Sequence, residues 1–379
     1  MHILKVIANG FKGCADNFTI SFVPEANKTE DDKEFELIEI ADDLFVYSTV
    51  GIVGKNASGK TSVVDLLGLV YDIFSSFRVS SMKRRFLYWN KNVNLDITFY
   101  HDDYLYRYVT DVVIDEQMLK TVIFKNQKLF KRPFFKSYVK DKSLFDYTKY
   151  EEVLFDSSLP EDLALIYSIF KKMEIAGLYY SIEDERNTDY VIISKIYNMF
   201  SDNGSILTAV LKLFDESLEK IKLINDNKFE IIFTNKKSIK VDSTGLSEYL
   251  SSGTSKGFDL YSSVLYCLKA GKVLIVDEIE NHFHKTLVEN LINLFKDKSV
   301  NKSGAVLIFT THYCELLDLF NRTDNIFVTK HFDKVTIENV YEKYDSRNDV
   351  LKSRKFYNNA FGTNVNYELL MNFKRELMK

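Results

Sequence analysis

Prolines are scarce. Only Pro24, Pro133 and Pro160 occur in 379 residues, and no Gly/Ser-rich tract is present. A tether between domains is therefore not expected, and the lobes that this length calls for should pack together. Cysteines are equally few. Cys14, Cys267 and Cys314 have neither zinc-site nor redox-pair spacing. They are expected to be small buried apolar residues in a reducing cytosol. No apolar run is long enough to span a bilayer, and the start, Met1-His2-Ile3-Leu4-Lys5, turns polar too soon for a signal peptide. A soluble cytoplasmic chain without a membrane partner is the expectation. Positive charge is not in excess either. The formal net charge of −4 excludes a globally basic nucleic-acid binder but not a local basic face. Internal repeats and low-complexity tracts are absent.

The richest stretch is Gly54-Lys55-Asn56-Ala57-Ser58-Gly59-Lys60-Thr61, which fits G-x-x-x-x-G-K-[ST]. A β-branched and aromatic run, Phe45 to Val53, precedes it as a strand. Ser62 to Val70 follows as a buried helix reaching about Phe77. Gly54 and Gly59 let backbone wrap a phosphate, and the N–H groups of the helix start, through Ser62, face its charge. Lys60 is expected on the β- and γ-phosphates and the Thr61 hydroxyl on Mg²⁺. A second apolar strand, Lys272 to Val276, ends in Asp277 and Glu278. Asp277 is expected to hold Mg²⁺ through water, and Glu278 to polarise the attacking water as general base. Upstream, Leu250-Ser251-Ser252-Gly253-Thr254 opens a helix expected from about Phe258 to Ala270, a second anion site by its free N–H groups. Downstream, Ala305 to Thr311 is a buried strand ending in His312, placed as a γ-phosphate sensor.

Around these motifs, His2–Asn9 and Phe18–Phe22 alternate as a hairpin, and residues 93–130 read as an antiparallel meander. The acid-rich stretch 25–43 reads mostly as a solvated loop, with a short strand near Phe35–Ile40. Residues 143–227 change character. Leu163–Phe170 and Leu207–Phe214 carry helical spacing, so the segment is taken as a mostly helical insertion. Lys228–Val241 looks like a hairpin turning at Asn235-Lys236. Strands and helices then alternate to about residue 329, which argues for a parallel sheet. The division expected is 1–142, 143–227 and 228–379.

The order of phosphate loop, signature, acid-ended strand and histidine resembles the ABC-type ATPase superfamily. The strings Leu250-Ser251-Ser252-Gly253-Thr254, Asp277-Glu278-Ile279-Glu280-Asn281-His282-Phe283-His284 and Thr310-Thr311-His312 resemble the prokaryotic AAA family ATPases that include RloA-like proteins and the ATPase half of OLD-family nucleases. The resemblance implies an α/β head, with mixed and antiparallel sheets around a phosphate-loop helix, that uses ATP and Mg²⁺. It implies a head-to-tail homodimer with two ATP molecules sandwiched, where Ser251 and Gly253, with Ser252 between them, meet the γ-phosphate bound to the second subunit. It further implies an ATP-driven switch for a separate nuclease- or toxin-like effector in a bacterial defence system. An acidic nuclease cluster is not found after His312, so a nuclease is expected on another chain. Two departures stand out. Neither Gln117 nor Gln127 has the context of the family's Q-loop glutamine, and the signature reads S-S-G-T. A DNA-repair ATPase of the RecF kind and a nucleotide-gated scaffold that barely hydrolyses ATP are the alternatives.

Two weaker features complete the reading. His282 and His284 with Glu280 are too sparse for a metal site, and the resemblance makes them a loop at the dimer seam. Lys125 to Lys142 holds Lys125, Lys128, Lys131, Arg132, Lys136, Lys140 and Lys142 with interleaved rings. That pattern suits either a DNA or RNA contact or a solvated strand edge whose rings are core.

Overall fold

The computed structural model describes residues 1–81, 83–115, 121–155, 159–170, 172, 174–181, 205–225, 228–234, 237–242, 249–281, 283–344, 351–362 and 367–378. The alternating N-terminal segments form an antiparallel six-stranded sheet, in the order Phe18–Ser21, His2–Asn9, Asn92–His101, Tyr104–Asp115, Thr121–Pro133 and Glu151–Glu152. From Tyr108 on, alternation buries Tyr108, Thr110, Val112 and Ile114 and leaves Val109, Asp111 and Val113 partly exposed. At Asp102 and Asp103 both φ angles are positive, which gives the tight turn between two of these strands the right twist.

The second sheet has near-continuous apolar strands because both its faces are covered. Its order is Gly177–Tyr180, Val273–Val276, Val306–Thr311, Thr49–Val53, Ile326–His331 and Val335–Asn339, parallel except for the last. Successive residues serve opposite cores. Ile275, Val306 and Ile308 join the core shared with the antiparallel sheet. Leu274, Val276, Leu307 and Phe309 join a second core with Phe258 and Val264 of helix Ser252–Ala270 and Leu291 and Ile292 of helix Lys285–Lys296. Each such side chain contributes about 1.5–3 kcal/mol on burial, so a charge at any of them would disrupt a core.

Helix Lys60–Ser76 lies between the two sheets and is buried almost all round. Its Gly68 faces the Tyr179 ring on the parallel sheet. Phe74 meets Phe99 of the antiparallel sheet edge-on, with ring centroids 5.0 Å apart.

Several expectations need correction. The acid-rich stretch is not a solvated loop. Thr29 and Asp32 form a reciprocal capping box that starts helix Glu30–Phe35, and Asp32 and Glu36 are buried. Leu163–Phe170 is not an α-helix but a 3₁₀ turn, Leu165–Ser168. The Gln127 side chain captures this backbone, receiving Leu165 N–H at 2.6 Å and donating to Leu163 O at 3.2 Å. Helix Ser252–Ala270 starts six residues before the expected Phe258. Within 143–227 the described residues include helix Ser205–Phe214 but also strand Gly177–Tyr180, the edge of the parallel sheet. Lys228–Phe233 pairs with Ile239–Asp242 and also with Leu218–Asn225 in a three-stranded sheet. The turn expected at Asn235-Lys236 lies outside the described residues.

All three cysteines are free and buried, and burial pushes the Cys14 thiol up to about 12. Among the described residues no helix is long and apolar enough to cross a membrane.

Candidate nucleotide site

The central strand Thr49–Val53 runs into the loop Gly54–Gly59, and helix Lys60–Ser76 leaves it. Gly59 has φ +97°, and a side chain there would also collide with Val335. At Gly54 a methyl group would strike Ser58 Oγ and Thr329. Both positions therefore require glycine. The neighbouring strand Ile326–His331 fastens the loop. Ser58 Oγ and Thr329 Oγ1 are 2.6 Å apart, and His331 Nδ1 is 3.2 Å from Ala57 O. Lys55, Asn56, Ala57 and Thr61 are exposed, whereas Ser58 and Lys60 are buried. No side chain caps this helix start, which leaves its N–H end toward the cleft for an anion. Lys60 Nζ donates to Gly54 O at 3.1 Å and Lys55 O at 3.2 Å, and sits 3.4 Å from His312 Nδ1.

Parallel register places Val276 beside Phe309, so the residues that follow are brought side by side. Thr310 Oγ1 donates to Asp277 Oδ1 at 2.6 Å and accepts Glu278 N–H at 2.7 Å. The Thr61 side chain lies close enough to Asp277 to lower its titration. Glu278 has φ +50°, unusual for a non-glycine residue. Its Oε1 is 3.5 Å from His312 Nε2, and its Oε2 accepts from Asn281. His312 N–H donates to Glu280 Oε1 at 2.5 Å, while the buried Glu280 Oε2 has no hydrogen-bond partner among the described residues.

Charge in this cleft is strained by burial. Desolvation raises the Asp277 carboxyl above its ordinary value. The Thr310 hydrogen bond and the nearby Thr61 side chain pull it back, and Asp65 and Glu278 add to the rise. Burial lowers the Lys60 ammonium against the opposing pull of Glu278, Asp277 and Glu280. The hydroxyl of Thr61 and the carboxylate of Asp277 are adjacent hard oxygen donors, the set that suits Mg²⁺, which keeps several waters and needs one or two protein ligands. Among the described residues no group of three or more His, Cys, Asp or Glu side chains could cage a metal. His282 of the sparse His/Glu group lies outside the described residues.

The structure thus gathers Lys60, Thr61, Asp277, Glu278 and His312 in one place. It does not bring the signature there within one chain. Ser251 caps its own helix, accepting Thr254 N–H at 3.1 Å, and Ser251 and Ser252 are exposed away from the cleft, with Gly253 beside them. Gln127 is engaged in structure, taking the Tyr108 hydroxyl at 2.6 Å besides the 3₁₀ turn, and Gln117 lies outside the described residues. Sequence reasoning missed Lys12, which lines the cleft, pairs with Asp65 and is backed by Tyr179 OH donating to Asp65 at 2.8 Å. It also missed Tyr88 and Trp89 on the cleft wall. The one signal available was that Trp89 is the sole tryptophan.

Comparison with known proteins follows this geometry. The SMC head domain from Thermotoga maritima aligns with 13% identity and a TM-score of 0.42, over 90% of this chain and 99% of that one. No curated protein matches. The family model described as "AAA domain, putative AbiEii toxin, Type IV TA system" matches residues 50–318, from the strand that feeds the phosphate loop past His312. The chain belongs to that AAA-domain family of P-loop ATPases.

Proposed function

We propose that this chain binds ATP with Mg²⁺ and hydrolyses it at a head-to-tail dimer interface, as a switch for a separate effector in anti-phage defence. One observation carries the hydrolytic reading: Glu278 and His312 stand 3.5 Å apart beside Lys60, with Asp277 held by Thr310 in the same cleft. Lys60 exchanges its two loop carbonyls for phosphate oxygens. Thr61 and Asp277 would hold Mg²⁺, which would supply charge neutralisation for the triphosphate. Glu278 accepts a proton from the attacking water, and its left-handed backbone aims the carboxylate into the cleft. His312, near both Glu278 and Lys60, reports the presence of the γ-phosphate. The exposed Ser251–Gly253 helix start is left for the ATP of a second copy.

The family description carries the words "putative AbiEii toxin, Type IV TA system", which supports a defence role. We place the protein in the cytoplasm, where ATP is held and three unpaired thiols stay reduced. The head is read as 1–142 and 228–379 together with strands Glu151–Glu152 and Gly177–Tyr180, which pair into its two sheets, and the rest of 143–227 is inserted.

A RecF-like, DNA-loading reading draws on the exposed Lys125, Lys128 and Lys131 of strand Thr121–Pro133. Against it, Phe124 is core, and Arg132 is buried with its guanidinium 3.3 Å from the centre of the Tyr138 ring. Lys136 already pairs with Asp42 at 3.1 Å.

The test uses Glu278→Gln, with turnover, ATP binding and mass in solution measured with ATP and Mg²⁺. The expected result is a loss of turnover of about 10²–10⁴-fold with ATP binding kept and a dimer accumulated. Unchanged turnover would replace the hydrolytic reading by the nucleotide-gated scaffold. Pull-down of the same variant from its host then separates a protein effector in fixed ratio from DNA alone.

A further inference from the structure

The phosphate loop, the acids and His312 account for the triphosphate end of a nucleotide. None of them accounts for the base. The cleft, about 970 Å³, extends past the phosphate loop to a wall carrying Tyr88 and Trp89. Both rings are exposed, Tyr88 at 59% and Trp89 at 76%. An indole this bare is unusual for a residue that proteins normally cover.

The backbone beneath it is anchored on both sides. The 3₁₀ turn Lys83–Leu87 sinks Phe86 and Leu87 to 2% and 0% exposure. Tyr88 N–H closes on Arg85 O at 3.2 Å. One residue beyond Trp89, the Asn90 side chain donates to Gly10 O at 2.6 Å and Lys12 O at 2.8 Å. Trp89 is therefore tied to the loop that brings Lys12 to the cleft, while its ring stays in solvent. Holding the backbone and baring the ring prepares a flat apolar face at little ordering cost on binding.

We propose that Trp89, flanked by Tyr88, is the platform on which the nucleobase of the bound nucleoside triphosphate stacks. The inference rests on the nucleotide-site reading above and adds its base subsite. Stacking needs only a π face, so purines should bind more tightly than pyrimidines, with ATP and GTP close to each other.

Trp89 is the only tryptophan of the chain, so its fluorescence reports on this position alone. Calorimetry with ATP and with inorganic tripolyphosphate, each with Mg²⁺, is run on the full chain alongside emission spectra. The expected result is that ATP binds more tightly than tripolyphosphate and quenches the indole, and that tripolyphosphate binds without quenching. Trp89→Leu should weaken ATP by about 5- to 150-fold and leave tripolyphosphate unchanged, and Trp89→Phe should recover most of the loss. Equal ATP affinity in wild type and Trp89→Leu would overturn the platform while leaving the phosphate site intact. So would equal quenching by both ligands. Binding of neither ligand to wild type would overturn the nucleotide-site reading itself.

Discussion

Two groups of carboxylates surround cations in this fold, and they are built differently. At the cleft, Lys60 faces Asp277, Glu278 and Glu280. Under the N-terminal acidic stretch, Arg322 faces Asp32 at 2.7 Å and Asp324 at 2.5 Å. There all five guanidinium N–H donors are used: two on Asp324, one on Asp32, and one each on the carbonyls of Asn27 and Ala26. Glu36, fully buried, accepts Asn321 N–H at 2.7 Å and Arg322 N–H at 3.0 Å and pairs with Lys296 at 2.8 Å. The cleft instead leaves Glu280 Oε2 without a partner among the described residues, keeps the Glu278 side chain 40% exposed and holds its backbone at positive φ. The charged groups of the clasp are matched among themselves and join distant segments, although Asn325 Oδ1 beside Glu36 has no partner among the described residues. An unsaturated cluster, open to solvent and strained, is what the proposed nucleotide site calls for.

The sharpest way to break this contrast is Arg322→Leu. It leaves Asp32 and Asp324 buried without a counter-charge and should cost about 3–5 kcal/mol in urea unfolding, with ATP affinity of the folded protein unchanged. A midpoint equal to wild type would show that the clasp carries no stability. The matching change in the cleft is Lys60→Ala. On the proposed reading it removes a charge-assisted contact to phosphate, and it should weaken ATP by about 10- to 150-fold in calorimetry, while moving unfolding by less than about 1 kcal/mol. A large loss of stability would make Lys60 a second clasp.

The smallest effect concerns pH. Burial raises the folded Asp277 carboxyl above its ordinary value, so the folded state holds that proton at higher pH than the unfolded chain does. Without metal, stability therefore rises as pH falls through the raised value. Mg²⁺ needs the carboxylate ionised, so the Mg²⁺-dependent part of ATP affinity should fall over the same range. Titrations of Mg²⁺ at several pH values check this. In Asp277→Asn the trend should disappear, and its persistence would assign the proton to another group.

Legibility followed the range of the interactions. The phosphate loop is a local object. Gly54, Gly59 and the start of one helix contain its geometry, so eight consecutive letters were enough. The apolar strands ending in Asp277–Glu278 and in His312 were readable for the same reason, as was the alternation of the antiparallel sheet. The clasp was not readable, because Asp32 and Arg322 gain meaning only when the fold joins residues 290 positions apart. An acid-rich run with few apolar residues looks solvated until its buried partner is known. Leu163–Phe170 had helical spacing, but hydrogen bonds from Gln127, 36 and 38 positions away, redirected its backbone. Lys12, Tyr88 and Trp89 entered the site by packing, which no spacing rule announces.

By itself the sequence determined the phosphate loop, the strand-borne acids, the histidine, the residue alternation of the antiparallel sheet and the strand–helix order that makes the other sheet mostly parallel. These are backbone preferences and short-range contacts, written within a few residues of where they act. Only the tertiary structure decided which carboxylates are saturated and which are open. It placed Thr310 beside Asp277 by strand register, Asp32 beside Arg322 by docking a helix, and a bare indole on the wall of the cleft. Those pairings depend on sheet register and burial, and both are properties of the whole folded chain.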